Sequence, residues 1–212
     1  MSEAQMSEHS LPRKRRASRE RTTKETSISL KLALDGSGLV QVTTGLPFFD
    51  HMVSQLGRHA GFDLDLKAAG DLAVDAHHTV EDVGICLGEA LHEALGDKAG
   101  VRRFASIAVP LDEALIEAAL DLSGRPFLVY DVDPGAGRET YPLGDPPFDP
   151  QLAEEFWRAF CVSSAITLHL HMRSGRNVHH ILEASFKAVA RTLRDAVRIE
   201  GGGVPSTKGV LG

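Results

Sequence analysis

The run His77-His78-Thr79-Val80-Glu81 returns in the second half of the chain as His179-His180-Ile181-Leu182-Glu183. This repeat constrains the fold, because each copy opens a stretch of helical periodicity and the elements leading up to it recur in similar order. On a helix, the first histidine and the glutamate are i,i+4 neighbours, and the second histidine and the glutamate are i,i+3 neighbours. Adjacent histidines, by contrast, point about 100° apart at ~3.6 residues per turn. Each pair is therefore placed to feed two sites rather than to chelate one ion. A helix start carrying histidines and a glutamate is often only solvated and well capped. The second copy weighs against that reading. With His51 and His169, six of the ten histidines join one constellation, and imidazole with carboxylate is a donor set for a first-row transition metal.

Alternating apolar residues predict a strand over 26–34, a turn at 35–38 and a returning strand over 39–43, which together read as a hairpin. Pro47 stands at the start of a helix reaching about residue 59. A strand around Phe62, Leu64 and Leu66 follows, then a long helix over 76–95 ended by Gly96. The order recurs with strands over 104–109, 114–121 and 126–131, and a loop rich in Pro and Gly over 133–150. A helix over 152–162, a strand over 166–171 and a helix over 178–197 complete it. The shared unit is strand, strand, helix, strand, motif helix, with one extra strand in the second half. The expected fold class is α+β, a duplicated two-layer unit with halves at about 21–100 and 101–200, two sheets packed around a helical layer.

At 212 residues and 42% apolar content, the chain has enough material for a sizeable core. It offers no apolar window of membrane-spanning length and no apolar signal-peptide core, so neither a membrane protein nor a secreted one is expected. Cys86 and Cys161 lie far apart without a CxxC pattern and read as reduced, buried thiols. A cytoplasmic location follows. Residues 1–24 carry seven Lys/Arg against three Glu, a net of +4, which leaves −10 for the rest of a chain whose total is −6. The basic stretch at residues 13–16 is read as part of a flexible, solvated tail over 1–20, and the acidic body argues against a nucleic-acid partner.

Seven stretches together carry a resemblance. GLPFFDHM (45–52), DAHHTVEDVG (75–84), PLDEAL (110–115), DLSGRP (121–126), TLHL (167–170), NVHHILEASFKA (177–188) and PSTKGVL (205–211) resemble the imidazoleglycerol-phosphate dehydratases, from about residue 21 to the C-terminus. That resemblance implies a fold like the second domain of ribosomal protein S5, a role in histidine biosynthesis, and two divalent ions, with manganese expected. It also implies a 24-subunit homo-oligomer with sites at subunit interfaces. Matched by motif, the ligands are His51, His77, His78, Glu81, His169, His179, His180 and Glu183. Glu25 is the proton-transfer candidate, although by itself it reads as a solvated residue before a strand. Arg103, Arg125, Ser206 and Lys208 match positions for a substrate phosphate, and Gln55 follows His51 by one helical turn. His171 is not assigned to metal.

The reaction implied is the dehydration of imidazole glycerol phosphate to imidazole acetol phosphate. The lost hydroxyl sits beside the ring, and the proton leaves the next carbon, which no carbonyl acidifies. Two divalent ions on the ring nitrogens would stabilise an imidazolate able to expel the hydroxyl, a Lewis-acid and template role. Gly201-Gly202-Gly203 before Pro205 to Lys208 reads as a hinge that lets the C-terminal segment close over phosphate. Two rivals are a metal-dependent hydrolase and a metal-stapled assembly protein. Asp82 after Glu81 breaks the HxxEH pattern of the first. The second gives Arg103, Arg125 and Lys208 no purpose.

Overall fold

The structure, a computed structural model, describes residues 15–135 and 140–211. Each half runs strand, strand, strand, helix, strand, helix. The first contains β1 (Arg16–Thr22), β2 (Thr26–Ala33), β3 (Val40–Thr43), α1 (Pro47–Ala60), β4 (Asp63–Gly70) and α2 (His77–Leu95). The second contains β5 (Phe104–Leu111), β6 (Ala114–Asp121), β7 (Phe127–Asp131), α3 (Leu152–Ser164), β8 (Thr167–Ser174) and α4 (Val178–Ala196). The sheets have matching orders, β1-β2-β4-β3 and β5-β6-β8-β7. The fold is therefore the duplicated α+β arrangement read from the sequence.

Two expectations are corrected. Residues 16–20, read as part of the flexible tail, lie in β1, which pairs antiparallel with β2 from Arg16↔Ala33 to Thr22↔Ser27; residues 1–14 lie outside the described residues. The strand expected only in the second half thus has its counterpart here. Arg19 and Arg21 stand where an inward-facing strand would show apolar residues, so no alternation is visible. Their heads pair with α2, Arg19 with Glu89 and Glu93 and Arg21 with Asp82, while long side chains of this kind cover apolar surface with their stems. The hairpin is also corrected. β3 does not return along β2 but pairs parallel with β4, in the register Val40↔Leu64 to Thr43↔Lys67. Asp63 holds the connection by accepting from Ser37 N–H at 2.8 Å and Leu39 N–H at 3.0 Å.

Strand alternation sorts the faces. Ile28, Leu30, Leu64, Leu66, Ile116, Leu120, Leu168 and Leu170 are buried against the helices. The helices form a shared layer in which α2 packs on α3 and α1 on α4. The α2–α3 contact is close because Gly84 and Gly88 stand one helical turn apart on the contact face. A Cβ at Gly88 would meet Phe160 O at 2.6 Å, and one at Gly84 would meet Phe156 O at 2.8 Å. Phe156, Trp157, Phe160 and Phe186 fill the layer with ring centroids 4.7–6.2 Å apart. No helix among the described residues is long and apolar enough to cross a membrane.

Candidate functional site

The two motif helices start alike. Asp75 Oδ1 accepts from His77 N–H at 2.6 Å, and Asn177 Oδ1 accepts from His179 N–H at 2.9 Å, so an oxygen two residues before each first histidine meets that histidine's N–H; Asn177 is itself the N-cap of α4, whereas Ala76 holds that place in α2. The rings of each adjacent pair stand 6.2 Å apart and nearly perpendicular, at 84° for His77/His78 and 88° for His179/His180. This is the divergence that helical geometry demands.

Packing of α1 on α4 brings residues of both halves together. His51 Nε2 lies 3.3 Å and His179 Nε2 2.9 Å from Glu183 Oε2, and Lys187 Nζ donates to Glu183 Oε1 at 2.6 Å. Among the described residues, these three are the one group of ligand-type side chains whose donor atoms all lie within 4.8 Å of one another. Burial pushes the Glu183 carboxyl upward, but the hydrogen bonds from Lys187, His179 and His51 together outweigh it and hold the group at about 2. The carboxylate is thus ionised and aimed at two imidazole nitrogens, a set that fits a divalent ion. Gln55 Nε2 reaches His51 Nδ1 at 3.4 Å, while Gln55 Oε1 lies 3.0 Å from His59 Nε2. Phe48 meets the His179 ring edge-on at 5.4 Å.

The other predicted ligands do not join this group within one chain. His77, His78 and half-buried Glu81 lie at the start of α2. His78 Nδ1 is 3.0 Å from Asp71 Oδ2, a hydrogen bond that raises the imidazole above its ordinary value, and 3.9 Å from Glu25 Oε2. His180 Nδ1 bonds Glu113 Oε2 at 2.8 Å, and with the N–H of Asn177 this holds the Glu113 carboxyl down at about 2. His169 pairs with Ala119 on β6, between the inward-facing Leu168 and Leu170. It therefore faces away from the helices, on the outer side of the second sheet. His171 shares that side, its Nδ1 3.2 Å from Asp131 Oδ2.

The residues predicted for phosphate meet beside that outer face. Arg103, Arg125, Ser206 and Lys208, with Pro205, Thr207, Val210 and Leu211, line a cavity of about 600 Å³. Three of the lining side chains are cationic and none is acidic among the described residues. Arg103 is fixed by a bidentate contact to Asp121, at 2.7 and 3.1 Å, and also donates to Pro205 O at 2.8 Å. It thereby holds the C-terminal segment on the sheet. The glycine stretch is tied down as well, by Gly100 N–H to Gly203 O at 2.7 Å and Glu200 N–H to Gly100 O at 2.8 Å. Arg125 follows Gly124, whose φ of 78° makes the tight turn, and its side chain is largely exposed.

Asp71 and Glu113 stand outside the set of site residues expected from sequence, and Asp82 enters the sequence reading only as the residue that breaks the HxxEH pattern. Glu113 lies inside the PLDEAL stretch, which offered a signal. Asp71 stands in an unremarkable loop. Asp82 is buried, takes Arg21 at 3.0 Å and accepts from the Thr26 hydroxyl, so it ties the Glu25 turn to α2.

A duplicated α+β fold with a histidine–carboxylate cluster at its helix starts and a separate cationic cavity is an arrangement that suits a metal-dependent enzyme acting on a small anionic compound. The family model described as imidazoleglycerol-phosphate dehydratase matches residues 44–193. The chain is 54% identical over 198 residues to the imidazoleglycerol-phosphate dehydratase of Acidothermus cellulolyticus, covering 93% of each chain. It is 56% identical over 200 residues to that of Acidiphilium cryptum, covering 93% of this chain and 99% of the relative. Among solved structures, the enzyme of Pyrococcus furiosus superposes with a TM-score of 0.76 at 36% identity, over 91% of this chain and all of that one. The Staphylococcus aureus enzyme gives 0.75 at 33% identity, over 87% of this chain and 99% of that one. The chain belongs to the imidazoleglycerol-phosphate dehydratase family.

Proposed function

We propose that the chain is a carbon–oxygen lyase that dehydrates imidazole glycerol phosphate to imidazole acetol phosphate, the step of histidine biosynthesis for which its family is named. The observation that carries this reading is the conjunction of the His51/His179/Glu183 cluster with the Arg103/Arg125/Lys208 cavity in one family member. A substrate with an azole at one end and a phosphate at the other needs both.

His51, His77, His78, Glu81, His169, His179, His180 and Glu183 are the side chains that would hold two divalent ions, manganese being the metal that the family resemblance implies, while mixed nitrogen and oxygen ligation by itself also suits zinc or iron. Bound there, such ions supply Lewis acidity and a template for the imidazole ring. The chain's own residues do the rest. Arg103, Arg125, Ser206 and Lys208 bind the phosphate, and closure of the C-terminal segment over it excludes water. Gln55 steadies His51. Glu25 moves the proton at the carbon next to the one that loses its hydroxyl; its carboxylate takes no hydrogen bond among the described residues and is free to act.

The position of His169 supports a site shared between subunits, because a ligand on the outer face of a sheet cannot reach a cluster within the helical layer behind that sheet. A 24-subunit homo-oligomer in the cytoplasm, acting on a small phosphate compound with no nucleic-acid or membrane partner, completes the proposal. A turnover assay on imidazole glycerol phosphate, with and without manganese, tests it. Formation of the ketone only in the metal-loaded protein is expected, and a loaded protein without turnover would overturn it.

A further inference from the structure

The two halves treat the second histidine of their motifs in equivalent ways, using residues from non-equivalent positions. Glu113 immediately precedes the first residue of β6, just as Glu25 immediately precedes the first residue of β2. The two acids are topological counterparts, yet only Glu113 is tied down. Its Oε1 accepts from Asn177 N–H at 2.7 Å and Arg176 N–H at 3.1 Å, and its Oε2 meets His180 Nδ1 at 2.8 Å. In the first half that task falls to Asp71, the first residue after β4, with oxygens 3.0 and 3.3 Å from His78 Nδ1. The residue at the matching place after β8 is Gly175, where a Cβ would meet Ile181 Cγ1 at 2.5 Å. A side chain there would have to displace Ile181, and the second half draws its carboxylate from the β5–β6 turn instead. With Asp71 on His78, the first half leaves the Glu25 carboxylate without a hydrogen bond among the described residues, its one contact being His78 Nδ1 at 3.9 Å.

We infer that Asp71 and Glu113 are positioning residues, each holding the second histidine of a motif by its Nδ1 and so presenting Nε2 as a donor. This rests on the reading that the motif histidines hold divalent ions. An ionised carboxylate only accepts, so its partner nitrogen must carry the proton, and in a neutral imidazole the other nitrogen then keeps its lone pair. The contact therefore sets both the tautomer and the ring orientation. It also divides the labour of the duplicated turn acid: Glu113 positions, while Glu25 is kept for proton transfer.

The test is a calorimetric manganese titration of chelator-stripped protein. In Glu113→Gln the two backbone N–H groups claim the amide oxygen and turn the NH2 toward His180. Nδ1 must then accept, and the proton moves to Nε2. Asp71→Ala removes the acceptor for His78, whereas the amide oxygen of Asp71→Asn still accepts from Nδ1. The expected result is one class of sites weakened roughly 10–100-fold in Glu113→Gln and in Asp71→Ala, with Asp71→Asn within a few-fold of the parent. Parent affinity and stoichiometry in both Glu113→Gln and Asp71→Ala would overturn the inference alone. A parent that binds no manganese would overturn the metal reading and this inference together. Should far-UV circular dichroism show Glu113→Gln unfolded, the Asp71 pair decides, since a merely structural role would not separate alanine from asparagine.

Discussion

His51 and Glu183 are 132 residues apart in the chain, yet His51 Nε2 lies 3.3 Å from Glu183 Oε2. The contact joins the first helix of one half to the motif helix of the other. It exists because the halves pack crosswise, α1 on α4 and α2 on α3, within one helical layer. The centre therefore depends on the duplication itself.

Glu183→Gln keeps the shape of the side chain and removes its charge. Metal affinity at this cluster should fall by at least the roughly 10–100-fold that loss of a mere outer partner costs, and turnover should fall with it. Elemental analysis after chelation and reloading checks this. The parent should hold about two ions per chain on the ligand count, and the variant should lose one.

Stripping the metal should lower the particle mass. His169 faces outward on the second sheet while His51, His179 and Glu183 converge at the helices, so ions shared between chains would act as joints. Light scattering before and after chelation measures this. An unchanged mass would show that the interfaces hold without metal.

Both motif helices were legible in the sequence because histidine pairs, caps and helical periodicity are local. The neighbours of their side chains were not, since His51 meets Glu183 only through long-range helix packing. β1 was hidden because arginines occupy inward positions that would ordinarily show apolar residues. The hairpin misled for the same non-local reason: a turn followed by an alternating strand does not reveal whether that strand returns along β2 or crosses to β4. Asp71 is identified only by where its loop folds, whereas Glu113 stood within a recognisable stretch and lacked only a reason to be singled out.

Gly88→Ala tests the crossing of α2 and α3. Alanine is a better helix former by about 1 kcal/mol, but the new Cβ meets Phe160 O at 2.6 Å and Ser163 Cβ at 2.8 Å, and backbone cannot move aside cheaply. Overpacking of this kind costs about 1–3 kcal/mol, so steric cost should win. Thermal melting of metal-free protein should fall, at roughly 2–4 °C per kcal/mol for a chain of this size.

Lys208→Ala removes one cation from the cavity that also contains Arg103 and Arg125. A charge-assisted hydrogen bond is worth about 1.5–3 kcal/mol, or roughly tenfold to a hundredfold in kcat/KM. Metal content should equal that of the parent, and inorganic phosphate should inhibit less. A segment that never closes over phosphate predicts no kinetic change, so the result decides between a working lid and a passive terminus.

Glu25→Gln separates proton transfer from metal binding. Glu25 lies 3.9 Å from His78 Nδ1, but Asp71 already holds that nitrogen at 3.0 Å, so the imidazole should stay in place when the Glu25 charge is removed. The turn that carries Glu25 has its own supports, Thr23 Oγ1 accepting from Glu25 N–H at 3.1 Å and from Thr26 N–H at 3.0 Å, and Asp82 accepting from the Thr26 hydroxyl. Fold, metal content and assembly should therefore match the parent. Turnover should not, because a positioned acid or base contributes roughly 10²–10⁴-fold, and glutamine can neither take nor give the proton. The loss should fall on kcat with little change in KM, since the phosphate and ring contacts remain. If Glu25→Gln lost its metals, Glu25 would belong to the metal centre. If it kept both metals and a normal kcat, the proton would move through another group, with Glu113 too firmly held by His180 and two backbone N–H groups to be the substitute.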